Sequence, residues 1–285
     1  MNRHRVVLLA AFAASLGAMA GCTGSDGIDA TDDPATPGPT ATGPSNFDPA
    51  LDTELFLPAT DRESTSTPVP LVVIVPGGGW VSADPEGLVP LAEDLSDRGA
   101  AASTVTYRTA PDGAYFPLPV QDIVCDIAYV AAQIKDQGVE VSEVVLVGHS
   151  AGAQLAALVA LGQDGDAECS EPLVPVDRFV GVAGPYDVSQ ASPAALLFGP
   201  ERSTTDEWVE GNPLTYADSR PEVPVLLVHG REDAVVPLAF TEQFAAALEA
   251  GGHDVTTRYV DGADHQSIYA ATVVSPLLAE WLDLS

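Results

Sequence analysis

The sequence predicts an α/β fold, with a mostly parallel, twisted sheet covered by helices on both faces. Three observations lead there. Short apolar runs recur at 71–75, 144–147, 179–183 and 225–228, the pattern of strands buried on both faces rather than on one. Stretches with apolar residues at helical spacing lie between them, so strands and helices alternate over 71–284, as a parallel sheet requires for its crossovers. Polar or glycine-rich loops follow the strands directly, and ligands of open α/β sheets bind at that carboxyl edge.

The first 46 residues stand apart from this pattern. Arg3 and Arg5 precede an apolar, alanine-rich run at 6–20, shorter than the roughly 20 apolar residues of a membrane span. Residues 1–21 therefore read as a signal peptide. The run ends Met19-Ala20-Gly21-Cys22, which resembles a bacterial lipobox. The resemblance implies cleavage before Cys22, lipidation of that cysteine and a mature protein held on the outer face of the cell membrane; ordinary secretion is the alternative. Residues 22–46 are mostly Thr, Pro, Gly, Asp and Ser, with Ile28 the one sizeable apolar side chain. They have too little to bury and are expected to form a disordered Pro/Thr-rich tether. The globular domain is expected over 47–285, opening with Leu51, Leu55, Phe56 and Leu57 in short edge strands.

The first buried strand, 71–75, runs straight into Pro76-Gly77-Gly78-Gly79-Trp80. A triple glycine at a strand end can bring backbone amides close to a reacting carbonyl oxygen, so Gly78 and Gly79 are candidates for half of an oxyanion hole. Residues 87–98 carry Leu88, Leu91, Ala92 and Leu95 at helical spacing, and 100–107 is the next strand, followed by Tyr107-Arg108-Thr109-Ala110-Pro111. Residues 119–137 are a second helix, with proline near its start. The strand 144–148 then meets Gly148-His149-Ser150-Ala151-Gly152, and the Ala- and Leu-rich stretch 151–161 continues as a helix.

That pentapeptide organises the chemistry. On a strand-to-helix turn the central serine sits in a strained conformation, and residues two positions either side must be glycine to let the neighbouring elements approach. Ser150 is exposed there as a nucleophile, with the amide of Ala151 at a helix N-terminus as the second oxyanion donor.

Residues 163–177 are a polar loop containing Cys169, 179–183 is a strand, and Gly184-Pro185-Tyr186-Asp187 lies at its carboxyl end. An irregular insertion at 189–216 carries Leu196, Leu197, Phe198 and Trp208, and reads as part of a lid or pocket wall or as a surface excursion. The strand 225–230 leads to the loop 231–237, a helix at 238–250 stops at Gly251-Gly252, the last strand is 255–260, and a closing helix at 268–284 follows the turn Asp261-Gly262-Ala263-Asp264-His265.

A serine hydroxyl needs a base, and the base needs an acid to fix its tautomer. Ser150, Asp233 and His265 supply that set, each at the carboxyl end of a strand. His4 falls in the leader, His149 within the elbow, His229 inside a buried strand and His253 after a helix stop. Asp233 lies in the loop after a strand ending His-Gly, and the resemblance described next implies its choice over Asp187, the runner-up, and over Asp261 and Asp264.

The glycine elbow, the triple-glycine loop and the Tyr-Arg-Thr-Ala-Pro segment together resemble α/β-hydrolases of the carboxylesterase and acetyl-esterase-like group, with feruloyl esterase-like and kynurenine formamidase-like relatives. In related esterases a histidine precedes the three glycines, where this chain has Pro76. The resemblance implies a serine esterase acting on small-molecule esters; short or medium acyl chains are expected because the sequence lacks the large cap domain of long-chain lipases, and nothing in it implies a cofactor. Acyl transfer or amide hydrolysis on the same three residues, or a non-catalytic binding lipoprotein, are the alternatives.

Composition narrows the partners. Eleven Lys and Arg stand against 41 Asp and Glu, a net charge of −30, and the only basic cluster is in the first five residues, which argues against nucleic acid. The carboxylates are scattered, with no calcium-loop spacing, so no structural metal is expected. With Cys22 committed to the leader, Cys125 and Cys169 remain as a pair in an oxidising compartment, where a disulfide is expected and two buried free thiols are the alternative.

Overall fold

The computed structural model describes residues 5–6, 48, 53–59, 67–162, 164, 166–199 and 205–285. Cys22, the tether 22–46 and all of the leader except 5–6 lie outside them. One sheet runs through the described residues in the order β1-β2-β4-β3-β5-β6-β7-β8. Its strands are β1 (Arg5–Val6), β2 (Glu54–Phe56), β3 (Val69–Val75), β4 (Ala101–Thr104), β5 (Val141–His149), β6 (Arg178–Val182), β7 (Val225–Gly230) and β8 (Val255–Val260). The β1–β2 and β2–β4 pairings are antiparallel, and every pairing from β4 to β8 is parallel. The helices are α1 (Val89–Asp97), α2 (Leu118–Asp136), α3 (Ala151–Ala160), α4 (Ala195–Phe198), α5 (Thr205–Glu210), α6 (Ala239–Gly251) and α7 (Ala271–Trp281).

The two-residue period of the strands divides the core into two layers. Leu71, Val73 and Val75 of β3, Leu146 of β5 and Phe179 of β6 pack with Ile123 and Ile127 of α2, Leu155 of α3 and Phe244 of α6. The intervening residues, among them Val72, Ile74, Val145, Val147 and Val180, face the opposite way onto Leu91 and Leu95 of α1 and Leu278 of α7. A strand covered on both sides has no polar face to show, which is why its sequence reads as an unbroken apolar run. Each fully buried Leu, Ile or Phe contributes about 2 kcal/mol. The result is the α/β-hydrolase fold, with the carboxyl ends of β3, β5, β7 and β8 along one edge.

Two predicted elements are shorter in the structure, each because side chains take over the backbone partners. The strand expected over 100–107 ends at Thr104. Beyond it Thr106 Oγ1 donates to the Ala83 carbonyl and the Arg108 amide to the buried carboxylate of Asp122 on α2. The closing helix expected from 268 begins at Ala271, because Asp264 Oδ1 accepts the amides of Gln266 and Ser267 and holds a tight turn there. The insertion at 189–216 contains α4 and α5 and is not wholly irregular. Cys125 of α2 is disulfide-bonded to Cys169, fastening the loop 163–177 to the helix across 44 positions of sequence.

Candidate active site

Ser150 joins β5 to α3 with φ 53° and ψ −124°, a conformation that costs a non-glycine residue about 1–3 kcal/mol. Its surroundings leave no alternative. The Ser150 amide donates to the Val182 carbonyl at 2.9 Å, and the loop after β3 crosses so closely that a Cβ on Gly152 would sit 2.2 Å from the Pro76 carbonyl oxygen. The glycine at that position is a packing requirement of the turn. Ala151 is the first residue of α3, where backbone amides have no carbonyl partner within the helix.

His265 comes from the turn after β8. Its Nε2 lies 2.9 Å from Ser150 Oγ and its Nδ1 2.7 Å from Asp233 Oδ2. The carboxylate can only accept, so Nδ1 carries the hydrogen and Nε2 is free to accept from the serine. Asp233 stands in the loop after β7 with its side chain 1% exposed. Its Oδ1 accepts the amides of Val235 and Val236, both at 2.8 Å, while its Oδ2 also faces Nε2 of His229 at 3.3 Å. The His229 ring is completely buried. Its Nε2 also donates to the Val236 carbonyl, and its Nδ1 accepts from Thr241 Oγ1 at 2.7 Å. Burial pushes the His229 pKa down, against the pull of its hydrogen bond to the Val236 carbonyl and of Asp233, so the ring is neutral.

The rival acids are engaged elsewhere. Asp187 accepts hydrogen bonds from Ser189, Gln190 and Asn212 and so ties the two ends of the insertion together. Burial works against its charge, but those donors outweigh burial and hold its pKa below the usual carboxylate value. Asp261 pairs with Arg231, and Asp264 caps its own turn. Of the rival histidines, His253 is buried against the Val223 carbonyl, and His4 lies outside the described residues.

His149 has a part that the sequence did not disclose. Its Nε2 donates to the backbone carbonyl of His265 at 3.1 Å, and its ring packs 4.9 Å from that of His265 and 4.4 Å from that of Tyr269. Burial, aided by the neighbouring His265, pushes the His149 pKa down to about 3. A neutral ring therefore braces the turn that presents His265.

The triple-glycine loop closes the other side. Gly78 has φ 135°, where a side chain is strained, and a Cβ on it would meet the Ser82 carbonyl oxygen at 2.1 Å. Gly79 follows with open space above it. With Pro76 in place of a histidine, the loop is anchored by other means. Tyr107 Oη donates to the Pro76 carbonyl at 3.2 Å. Trp80 Nε1 donates to Gln154 Oε1, and the buried Gln154 amide reaches on to the Gly211 carbonyl of the insertion. The Tyr-Arg-Thr-Ala-Pro segment thus fixes this loop through Tyr107 and α2 through Arg108, which forks onto Asp122. A cavity of about 410 Å³ opens between Gly78, Gly79, Ser150, His265 and Tyr269. The described part of the insertion supports this wall through Gly211 and does not line the cavity.

No group of three or more His, Cys, Asp or Glu among the described residues has the arrangement of a metal site. The arrangement places a serine hydroxyl in line with a histidine and a carboxylate at the N-terminus of α3, the grouping that nucleophilic serine chemistry uses.

Comparison with known proteins bears on that chemistry. The BD-FAE family profile matches residues 54–248. Esterase LipQ of Mycobacterium tuberculosis is 29% identical over 227 residues, covering 74% of this chain and 53% of LipQ, so the chain spans about half of that relative's length. Kynurenine formamidase of Danio rerio is 28% identical over 221 residues, covering 75% of this chain and 70% of that protein. Among solved structures, the esterase Est2 of Thermogutta terrifontis, with propionate bound, matches with a TM-score of 0.67 at 20% identity over 87% of this chain and 97% of that one; at such identity the likeness is one of fold.

Proposed function

The chain belongs to the BD-FAE family, and from that premise we propose that it hydrolyses carboxylic esters of short or medium acyl chains, with Ser150 as nucleophile, His265 as base and Asp233 as the acid that orients it. The observation that carries this reading is the unbroken line of hydrogen bonds from Ser150 Oγ through His265 to Asp233. Ser150 Oγ attacks the ester carbonyl as its proton passes to His265 Nε2. The oxyanion is held by the amides of Ala151, Gly78 and Gly79, each such donor being worth about 10²–10³ in kcat. Collapse expels the alcohol, which takes the proton from His265, and a water activated by the same nitrogen releases the acid.

A cavity of about 410 Å³ supports a small acyl group, and the propionate bound to Est2 agrees with that size. Kynurenine formamidase among the relatives favours one second reading, hydrolysis of a small formamide by the same residues. We further propose that the protein is exported and anchored through Cys22. The lipobox-like Met19-Ala20-Gly21-Cys22 supports this. Loss of the leader would take β1 from the sheet edge and leave the strands around Ser150 untouched. No helix among the described residues is long and apolar enough to cross a membrane.

A series of p-nitrophenyl esters tests the substrate class, with an N-formyl aromatic amine as competitor. The expected result is a kcat/KM that peaks at short or medium acyl chains and is weakly inhibited by the formamide. A rate that climbs steadily into long acyl chains, or a preference for the formamide, would contradict it.

A further inference from the structure

Within the reading of Asp233 as the acid, we propose that His229, backed by Thr241, is a positioning residue for that carboxylate. The observation is an asymmetry. Oδ1 of Asp233 is held by two amides of its own loop, whereas the partners of Oδ2 among the described residues are side chains: it accepts from His265 on the cavity side and lies 3.3 Å from His229 Nε2 on the core side. His229 is the penultimate residue of β7, a strand paired on both sides, so the sheet itself reaches the oxygen that orients the base.

Its tautomer is fixed from both ends. Thr241 Oγ1 donates to Nδ1, and the hydrogen is left on Nε2, which bonds the Val236 carbonyl at 2.9 Å and lies 3.3 Å from Asp233 Oδ2. Thr241 is fully buried on α6, so helix, strand and acid are joined in one line. Without His229, Oδ2 has His265 as its sole side-chain donor, and the carboxylate can pivot about its Oδ1 bonds. An acid that pivots holds His265 less often in line with Ser150, which lowers kcat while leaving substrate binding alone.

The test compares His229→Leu, His229→Gln and Thr241→Val in the full chain. His229→Leu is expected to lower kcat about tenfold or more with little change in KM. Glutamine carries an amide N–H at about the reach of Nε2, so His229→Gln recovers most of the loss. Thr241→Val keeps the ring and frees its tautomer, giving an intermediate loss even if the leucine variant folds poorly. The far-downfield proton signal of His265 Nδ1–H is an independent readout, expected to move in His229→Leu and to stay in His229→Gln. Wild-type kcat and proton signal in folded His229→Leu would overturn the proposal. So would equal losses in the leucine and glutamine variants that track a common fall in Tm. Should the wild type hydrolyse no ester, the esterase reading fails by itself, and the downfield proton still decides the role of His229.

Discussion

Ser150 and His265 were legible in the sequence because their surroundings are local: a glycine spacing that only a tight strand-to-helix turn requires, and a loop directly after a strand. Asp233 could be preferred over Asp187 from the strand that precedes it, and in the structure Asp187 serves the insertion instead. The roles of His149 and His229 were hidden. A sequence places each on a strand, but what the ring meets depends on register across the sheet, 116 positions away for His149 and His265. The depressed pKa of His149 has a measurable consequence. The unfolded chain takes up a proton at His149 below about pH 6.5, whereas the folded ring refuses it until about pH 3. Stability from this group is therefore fully present above pH 6.5 and is lost as pH falls toward 3. Urea unfolding from pH 7 to 4 should show a steeper decline in the wild type than in His149→Asn. Parallel slopes would mean that His149 charges freely in the folded protein.

At the scale of elements, β6 and β7 were read to within a residue at each end, since runs covered on both faces leave no ambiguity of period, whereas β3 and β5 begin before their apolar runs, at Val69 and Val141, and β4 is shorter than expected. Boundaries slipped where side chains cap the backbone, as Asp122 does after β4 and Asp264 before α7. The anchoring of the triple-glycine loop was not legible, because it depends on Tyr107, Trp80 and Gln154 meeting from three separate segments. The Cys125–Cys169 bond pins a loop remote in sequence from α2. Such a cross-link is worth about 2–4 kcal/mol, so reduction, or Cys125→Ser with Cys169→Ser, should lower Tm by about 5–10 °C and leave esterase activity at 25 °C largely intact. Alkylation that finds both thiols free before reduction would remove the bond from the account.

At the scale of the whole molecule, a net charge of −30 opposes adsorption to an anionic membrane surface, so the proposed attachment would rest on the lipid at Cys22. Expression in a host that processes lipoproteins should place the wild type in the membrane fraction and Cys22→Ser in the soluble fraction. Equal partitioning of the two would rule the anchor out. The proposed function turns on one oxygen, Ser150 Oγ, and the most direct test addresses it. Fluorophosphonate treatment followed by intact-mass and peptide analysis should give one adduct per chain on Ser150, absent from Ser150→Ala and strongly slowed in His265→Ala and Asp233→Ala. Well-folded protein that stays unlabelled, or labelling that persists in Ser150→Ala, would contradict the assignment of Ser150 as the nucleophile.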